Sequence, residues 1–185
     1  MEGRRLALIA YVTVLSGFGL WGLSAALLRD VDFTNLRIVA TAGAALLAGG
    51  AAYAAVALRS RVRSTTFPSL LLVAAPVAFA LVADDIWGGS FTAQSARWAQ
   101  TALVVLVAGM LAATLRLLVR FERPVVGLIY VGFVLCDAAA SVVALQAVWG
   151  SPQQDDARLF TAFAVLTVFA YLLAPAVDRL LDDPA

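Results

Sequence analysis

The sequence predicts an all-α polytopic membrane protein. About six transmembrane helices are expected, arranged as three antiparallel hairpins with both termini in the cytoplasm. Three observations predict this: an apolar composition, regular division into span-length segments, and the distribution of arginine and tryptophan. Of the 185 residues, 63% are hydrophobic and 14% charged, and the mean hydropathy is +0.93. A soluble domain carries about 25% charged residues and lacks a core large enough to hide this much apolar surface. A lipid solvent removes the difficulty.

Six apolar segments each approach the roughly 20 residues that a bilayer requires. They cover 6–28, 37–58, 67–87, 98–120, 124–149 and 159–177. The first follows Arg4 and Arg5 in the manner of a signal sequence, yet it is too long for a signal core, and no clean small-residue cleavage site follows. It is therefore read as a span. The second, TAGAALLAGGAAYAAVA, is nearly all small, and Gly43, Gly49 and Gly50 suit close backbone approach in a central helix or an oligomer contact. The third opens with Pro68 in its first turn and carries Pro76 midway, where a missing backbone hydrogen bond is expected to kink it. The fourth starts after Arg97 and closes at Arg120. Pro124 suits the first turn of the fifth, and Pro175 interrupts the sixth near its end. The breaks (RDVDFTN, RSRVRSTT, GGSFTAQSAR, RFER and SPQQDDAR) are short and polar, so neighbouring helices must run antiparallel. No break is long enough for a separate domain, and 1–185 is read as one unit.

Orientation follows from arginine, the only basic residue present. The N-terminus (Arg4, Arg5), the second loop (Arg59, Arg61, Arg63), the fourth loop (Arg116, Arg120, Arg123) and the tail (Arg179) hold nine; Arg29, Arg37, Arg97 and Arg158 make four on the other side. The richer side is the cytoplasmic one. Trp21, Trp87, Trp98 and Trp149 then all fall in the outer half, where an interfacial indole keeps its ring buried and its N–H wet.

A threefold pattern accompanies this topology. Trp21-Gly22-Leu23-Ser24, Trp87-Gly88-Gly89-Ser90 and Trp149-Gly150-Ser151 mark the odd helices. The even helices run between the pairs Arg37/Arg59, Arg97/Arg120 and Arg158/Arg179, whose spacings of 22, 23 and 21 residues match a bilayer crossing. One explanation is an internal repeat. The other is that every helical hairpin favours Trp and Gly at its outer turn and Arg at its ends.

The composition also excludes chemistry. There is no His and no Lys, and Cys136 is the single cysteine. An intramolecular disulfide, a His or Cys metal cluster, and a lysine Schiff base are therefore ruled out. A net charge of +1 offers no nucleic-acid surface. No catalytic residue, metal site or cofactor is expected. The anticipated surroundings are the lipid bilayer, and as partner another copy of the chain or a different membrane protein.

Asp137 is the most informative residue. It lies midway along the fifth segment, where an ionised carboxylate costs at least about 2.5–3.5 kcal/mol on insertion scales. Such a group is protonated, paired or facing a polar cavity. Ser141 follows one turn later and Tyr130 lies two turns earlier, making a thin polar stripe with Ser16 and Thr167 at similar depth as partners. The stripe suits either a proton or ligand site or a neutral hydrogen-bonded packing contact. Asp84 and Asp85, at the outer end of the third segment, form an acidic rim. Adjacent helical side chains diverge by about 100°, so a cation or diphosphate site there requires a second cluster, for which Asp30, Asp32, Asp155 and Asp156 are the candidates. Gln100 and Gln146 are expected to hydrogen-bond between helices, and Arg116 to reach the headgroups.

The motif Ala96-Arg97-Trp98-Ala99-Gln100, with GAALLAGGAAY and the Pro76 span, is similar to stretches of the archaeal rhodopsins. The chain has no lysine for retinal, and Gln100 stands where a pump of that family carries a carboxylate. Neither retinal binding nor pumping follows. The leading functional expectation is a non-enzymatic scaffold, accessory or sensory subunit of the plasma membrane. A small, oligomeric, proton-coupled transporter or channel using Asp137 comes second, and an intramembrane enzyme using the outer acidic face third.

Overall fold

A computed structural model describes residues 33–182 apart from 63, 89–91, 120, 122 and 151–153. It contains five helices: α1 (Phe33–Arg59), α2 (Thr66–Trp87), α3 (Ala93–Leu118), α4 (Pro124–Trp149) and α5 (Gln154–Asp182). These correspond to the second through sixth apolar segments. All five are long and apolar enough to cross a membrane, and no strand occurs among the described residues. The first apolar segment, 6–28, lies outside the described residues, as do Trp21, Ser16, Asp30 and Asp32.

The helices extend beyond the apolar segments where polar residues cap or continue them. Thr92 caps α3, its hydroxyl accepting the Ser95 N–H at 3.2 Å. Helix therefore begins five residues ahead of Trp98. Pro124 opens α4 in its first turn. Pro76 and Pro175 lie inside α2 and α5, which continue through them.

Side-chain contacts fix the directions. Trp87, ending α2, reaches Thr41 near the start of α1, and Trp149, ending α4, reaches Thr101 near the start of α3. Both pairs are therefore antiparallel. Arg61, just past α1, donates to the Leu117 carbonyl in the last turn of α3 at 3.0 Å. A cation there meets the negative end of the helix dipole and supplies a donor that a helix C-terminus lacks. It also shows that α1 and α3 run parallel. α3 is the hub, touching each of the other four helices, while α1 packs closely on α2 and α4 on α5.

Two cores result. Ala48, Ala51, Ala54, Ala55 and Leu58 of α1 meet Leu71, Ala75 and Ala78 of α2 and Leu106 and Ala113 of α3. The spacings of three and four residues place each set on one helix face. The seam is built from alanine rather than from the glycines. A Cβ added at Gly43 or Gly49 would meet nothing within 4 Å, whereas one at Gly109 would come within 2.9 Å of Leu71 Cδ1. The glycine that a neighbouring helix presses on is therefore Gly109 of α3, which the Leu71 side chain of α2 covers. The second core joins α3, α4 and α5 through Leu115, Val126, Phe133 and Ala174, with Phe121, Tyr130 and Tyr171 packed around them.

Candidate functional site

Mid-height between α1, α3, α4 and α5 lies a cavity of about 420 Å³. Asp137 and Ser141 of α4 and Thr167 of α5 supply its polar groups; the remainder is aliphatic apart from Phe160. The Thr167 hydroxyl donates to the Phe163 carbonyl at 2.8 Å, which leaves its oxygen lone pairs to accept. Asp137 is half-buried, and among the described residues its carboxyl has no hydrogen-bond partner.

The cavity follows from the residue sizes along the α3–α4 joint. At one end Trp98 and Trp149 meet edge-to-face with centroids 5.0 Å apart. At the other, Phe121 meets Tyr130 at 4.9 Å and Phe133 lies 6.0 Å from Tyr171. The first pair bridges α3 and α4 directly, while the others pack the loop after α3 and helix α5 onto α4, with Leu115 of α3 in the same cluster. Between them, Ala108, Ala140, Ala144 and Ala164 are too short to fill the gap. An alanine seam closes where backbones can approach, as between α1 and α2, and leaves space where they cannot.

Of the expected polar stripe, Asp137 and Ser141 share the cavity, and Thr167 joins them. Tyr130 sits elsewhere: it borders a separate recess with Arg61, Ser64 and Arg116. Two turns of helix advance about 10 Å, so a residue on the same face at that distance enters a different layer of packing. The Arg116 guanidinium lies 3.6 Å from the Phe121 ring centroid and 5.9 Å from that of Tyr130. Its charge rests on an aromatic face, a favourable cation–π geometry. Asp85 accepts a hydrogen bond from the Ser95 hydroxyl at 3.2 Å, tying the end of α2 to the start of α3. Asp84 is exposed, and its carbonyl accepts the Gly88 N–H. Among the described residues, no three His, Cys, Asp or Glu side chains converge. The side chains of Asp155 and Asp156 lie outside the described set. Gln100 and Gln146 are both exposed rather than buried between helices.

Sequence reasoning overlooked the threonines. The Trp87 indole N–H donates to Thr41 Oγ1 at 2.8 Å, with the Arg37 guanidinium 5.9 Å from the ring. The Trp149 indole N–H donates to Thr101 Oγ1 at 2.9 Å, with the Arg97 guanidinium 6.0 Å away. In both clamps the threonine hydroxyl in turn donates a hydrogen bond to the carbonyl of that arginine, four residues earlier, at 2.8 Å. A similar relay links Tyr171 to Thr114 at 3.1 Å and Thr114 to the Met110 carbonyl at 2.9 Å. The Arg-x-x-x-Thr spacing, repeated 60 residues apart, is the sequence signal that marks the two clamps.

No protein-family model matches the chain, and no curated protein or solved structure matches it.

Proposed function

We propose that this is a non-enzymatic multi-pass protein of the plasma membrane, a sensory or accessory subunit. In this reading six spans form three antiparallel hairpins with both termini in the cytoplasm. The intramembrane cavity at Asp137 receives one small, mostly apolar molecule bearing a single hydrogen-bond donor. The observation that carries the reading is the cavity itself: an aliphatic lining with Asp137, Ser141 and Thr167 as its polar groups. A ligand there gains dispersion contacts along its length and satisfies one carboxyl at one point, the usual design of a small-molecule pocket. The topology rests on the nine-to-four arginine asymmetry.

A proton-coupled carrier is the second reading, favoured by a carboxyl that borders a cavity midway along its helix. The aliphatic lining favours the first, because conduction needs a hydrated path. The test uses protein in nanodiscs and a medium-chain primary alkylamine as probe. The carboxyl infrared band that Asp137→Asn removes is expected to shift when the amine is added and to ignore the matching alkane. A band indifferent to both would reject ligand binding at Asp137. Proton flux into vesicles that Asp137→Asn abolishes would instead establish the carrier. Labelling of single cysteines placed in each loop tests the six-span topology independently.

A further inference from the structure

The end of the bundle where α1 and α3 finish and α2 and α4 begin carries two adjoining recesses. The larger, about 570 Å³, is bordered by Arg61, Ser64, Phe67, Arg116 and Tyr130 among others. The smaller, about 340 Å³, is bordered by Arg61, Arg116, Val119 and Phe121 among others. Both arginines line both recesses, and no Asp or Glu lines either. Two guanidinium groups repel each other, so holding them at one opening calls for an anion between them. Each is fixed by a contact that leaves donors over. Arg61 gives one N–H to the Leu117 carbonyl. Arg116 lies over the Phe121 ring, 3.6 Å from its centroid. A guanidinium resting on a ring keeps its N–H groups, which lie in its own plane, for a bidentate acceptor such as phosphate. Ser64 and Tyr130 add hydroxyls that have no hydrogen-bond partner among the described residues. The first turn of α2 borders the same space through Phe67 and Pro68. Its N-cap, Thr65, makes no side-chain hydrogen bond, so the positive end of that helix is uncapped.

The surroundings separate a lipid from a soluble anion. Phe67 lines the larger recess and is exposed, as is Leu70 one turn further along α2. Leu118 at the end of α3 and Val125 and Leu128 at the start of α4 are exposed too. In a membrane such side chains face acyl chains, and the polar groups beside them lie at headgroup level. A soluble anion complements the arginines alone. A phospholipid complements both parts, with its phosphate on the arginines and a chain along Phe67 and Leu70. The missing carboxylate also selects among headgroups, because nothing lining the recesses would receive the ammonium of a zwitterionic one. We propose that these recesses bind the phosphate of an anionic phospholipid, held between Arg61 and Arg116 with Ser64 and Tyr130 as further donors. In the proposed topology this is the cytoplasmic leaflet; the site itself is independent of the reading at Asp137.

The experiment uses the full chain, delipidated in a neutral detergent. Phosphatidylglycerol and phosphatidylcholine with identical chains are the probes, and native mass spectrometry counts the lipid retained. A single phosphatidylglycerol is expected to bind in preference to phosphatidylcholine. Arg61→Gln and Arg116→Gln should each weaken it about fivefold, the contribution of one basic side chain beside anionic lipid. Arg97→Gln, which removes the same charge at the opposite end of α3, should leave it unchanged. Arg61 is exposed beyond the end of α1, so Arg61→Gln carries the test if Arg116→Gln does not fold. Equal retention of the two lipids would overturn the proposal. An equal loss with Arg97→Gln would do the same, as general charge attraction. Displacement of the bound lipid by excess inorganic phosphate would overturn the lipid assignment in favour of a soluble phosphate.

Discussion

The two sides of α3 are packed by opposite means. Toward α1 and α2 it presents Leu106 and Ala113 to a seam of alanines, with Gly109 pressed against Leu71. Toward α4 and α5 it meets aromatic rings: Trp149 at one end, and Phe121, Tyr130, Phe133 and Tyr171 at the other. In hydrocarbon, helices gain little from hiding apolar surface and associate through close contact and interhelical hydrogen bonds. Alanine achieves that contact by bringing backbones together. Aromatic rings achieve it at a distance, and distance leaves room for a cavity. The difference explains why the candidate site lies on the α4 and α5 side of the hub.

Substitutions that reverse each packing mode test the comparison. The largest effect is expected from Phe133→Ala, which empties the middle of the aromatic side. A loss of about 3 kcal/mol is expected, the low end for a buried phenylalanine because the surrounding solvent is itself apolar. Reversible unfolding in mixed micelles, followed by circular dichroism, measures it. An effect below that of Tyr171→Phe would show that the rings are not the supports. Ala51→Leu forces bulk into the alanine seam, where the native side chain is fully buried, and should cost about 1–3 kcal/mol by the same assay.

The same change on the other side should do the opposite. Ala144→Leu fills part of the cavity and is expected to add about 0.5–2 kcal/mol, while weakening the amine response of the Asp137 carboxyl band. Destabilisation by Ala144→Leu comparable to that of Ala51→Leu would mean that the two sides are equally tight. The smallest effect belongs to the clamps: Trp87→Phe and Trp149→Phe each remove an indole donor and should cost about 0.6 kcal/mol, the average for interhelical hydrogen bonds in a membrane protein. Similar losses for both would establish the clamps as equivalent; a loss confined to one would make the repeat decorative.

Much of the architecture was legible because bilayer-length helices announce themselves through hydropathy. Segment 124–149 coincides with α4 end to end, since Pro124 and Gly150 bracket an uninterrupted apolar run. Ends such as 93–97 were not legible, because Thr92 extends α3 by capping while hydropathy reads only apolarity. The glycines of the second segment suggested close approach, yet the contact falls on alanines one or two positions away, on an adjacent face. Helical periodicity identifies faces, but which face meets a neighbour is settled by the neighbour. For the same reason Asp137 and Ser141 could be grouped from spacing, while Tyr130, drawn into the rings around Arg116, could not.

The edge-to-face pair of Trp98 and Trp149 has an optical consequence. Two indoles with centroids 5.0 Å apart and planes inclined at 77° are close enough for their excited states to mix, and the inclination gives the mixed transition rotational strength. One ring belongs to α3 and the other to α4. The joint beside the cavity therefore carries its own chromophore, whose circular-dichroism couplet should grow or fade as the two helices draw together or separate.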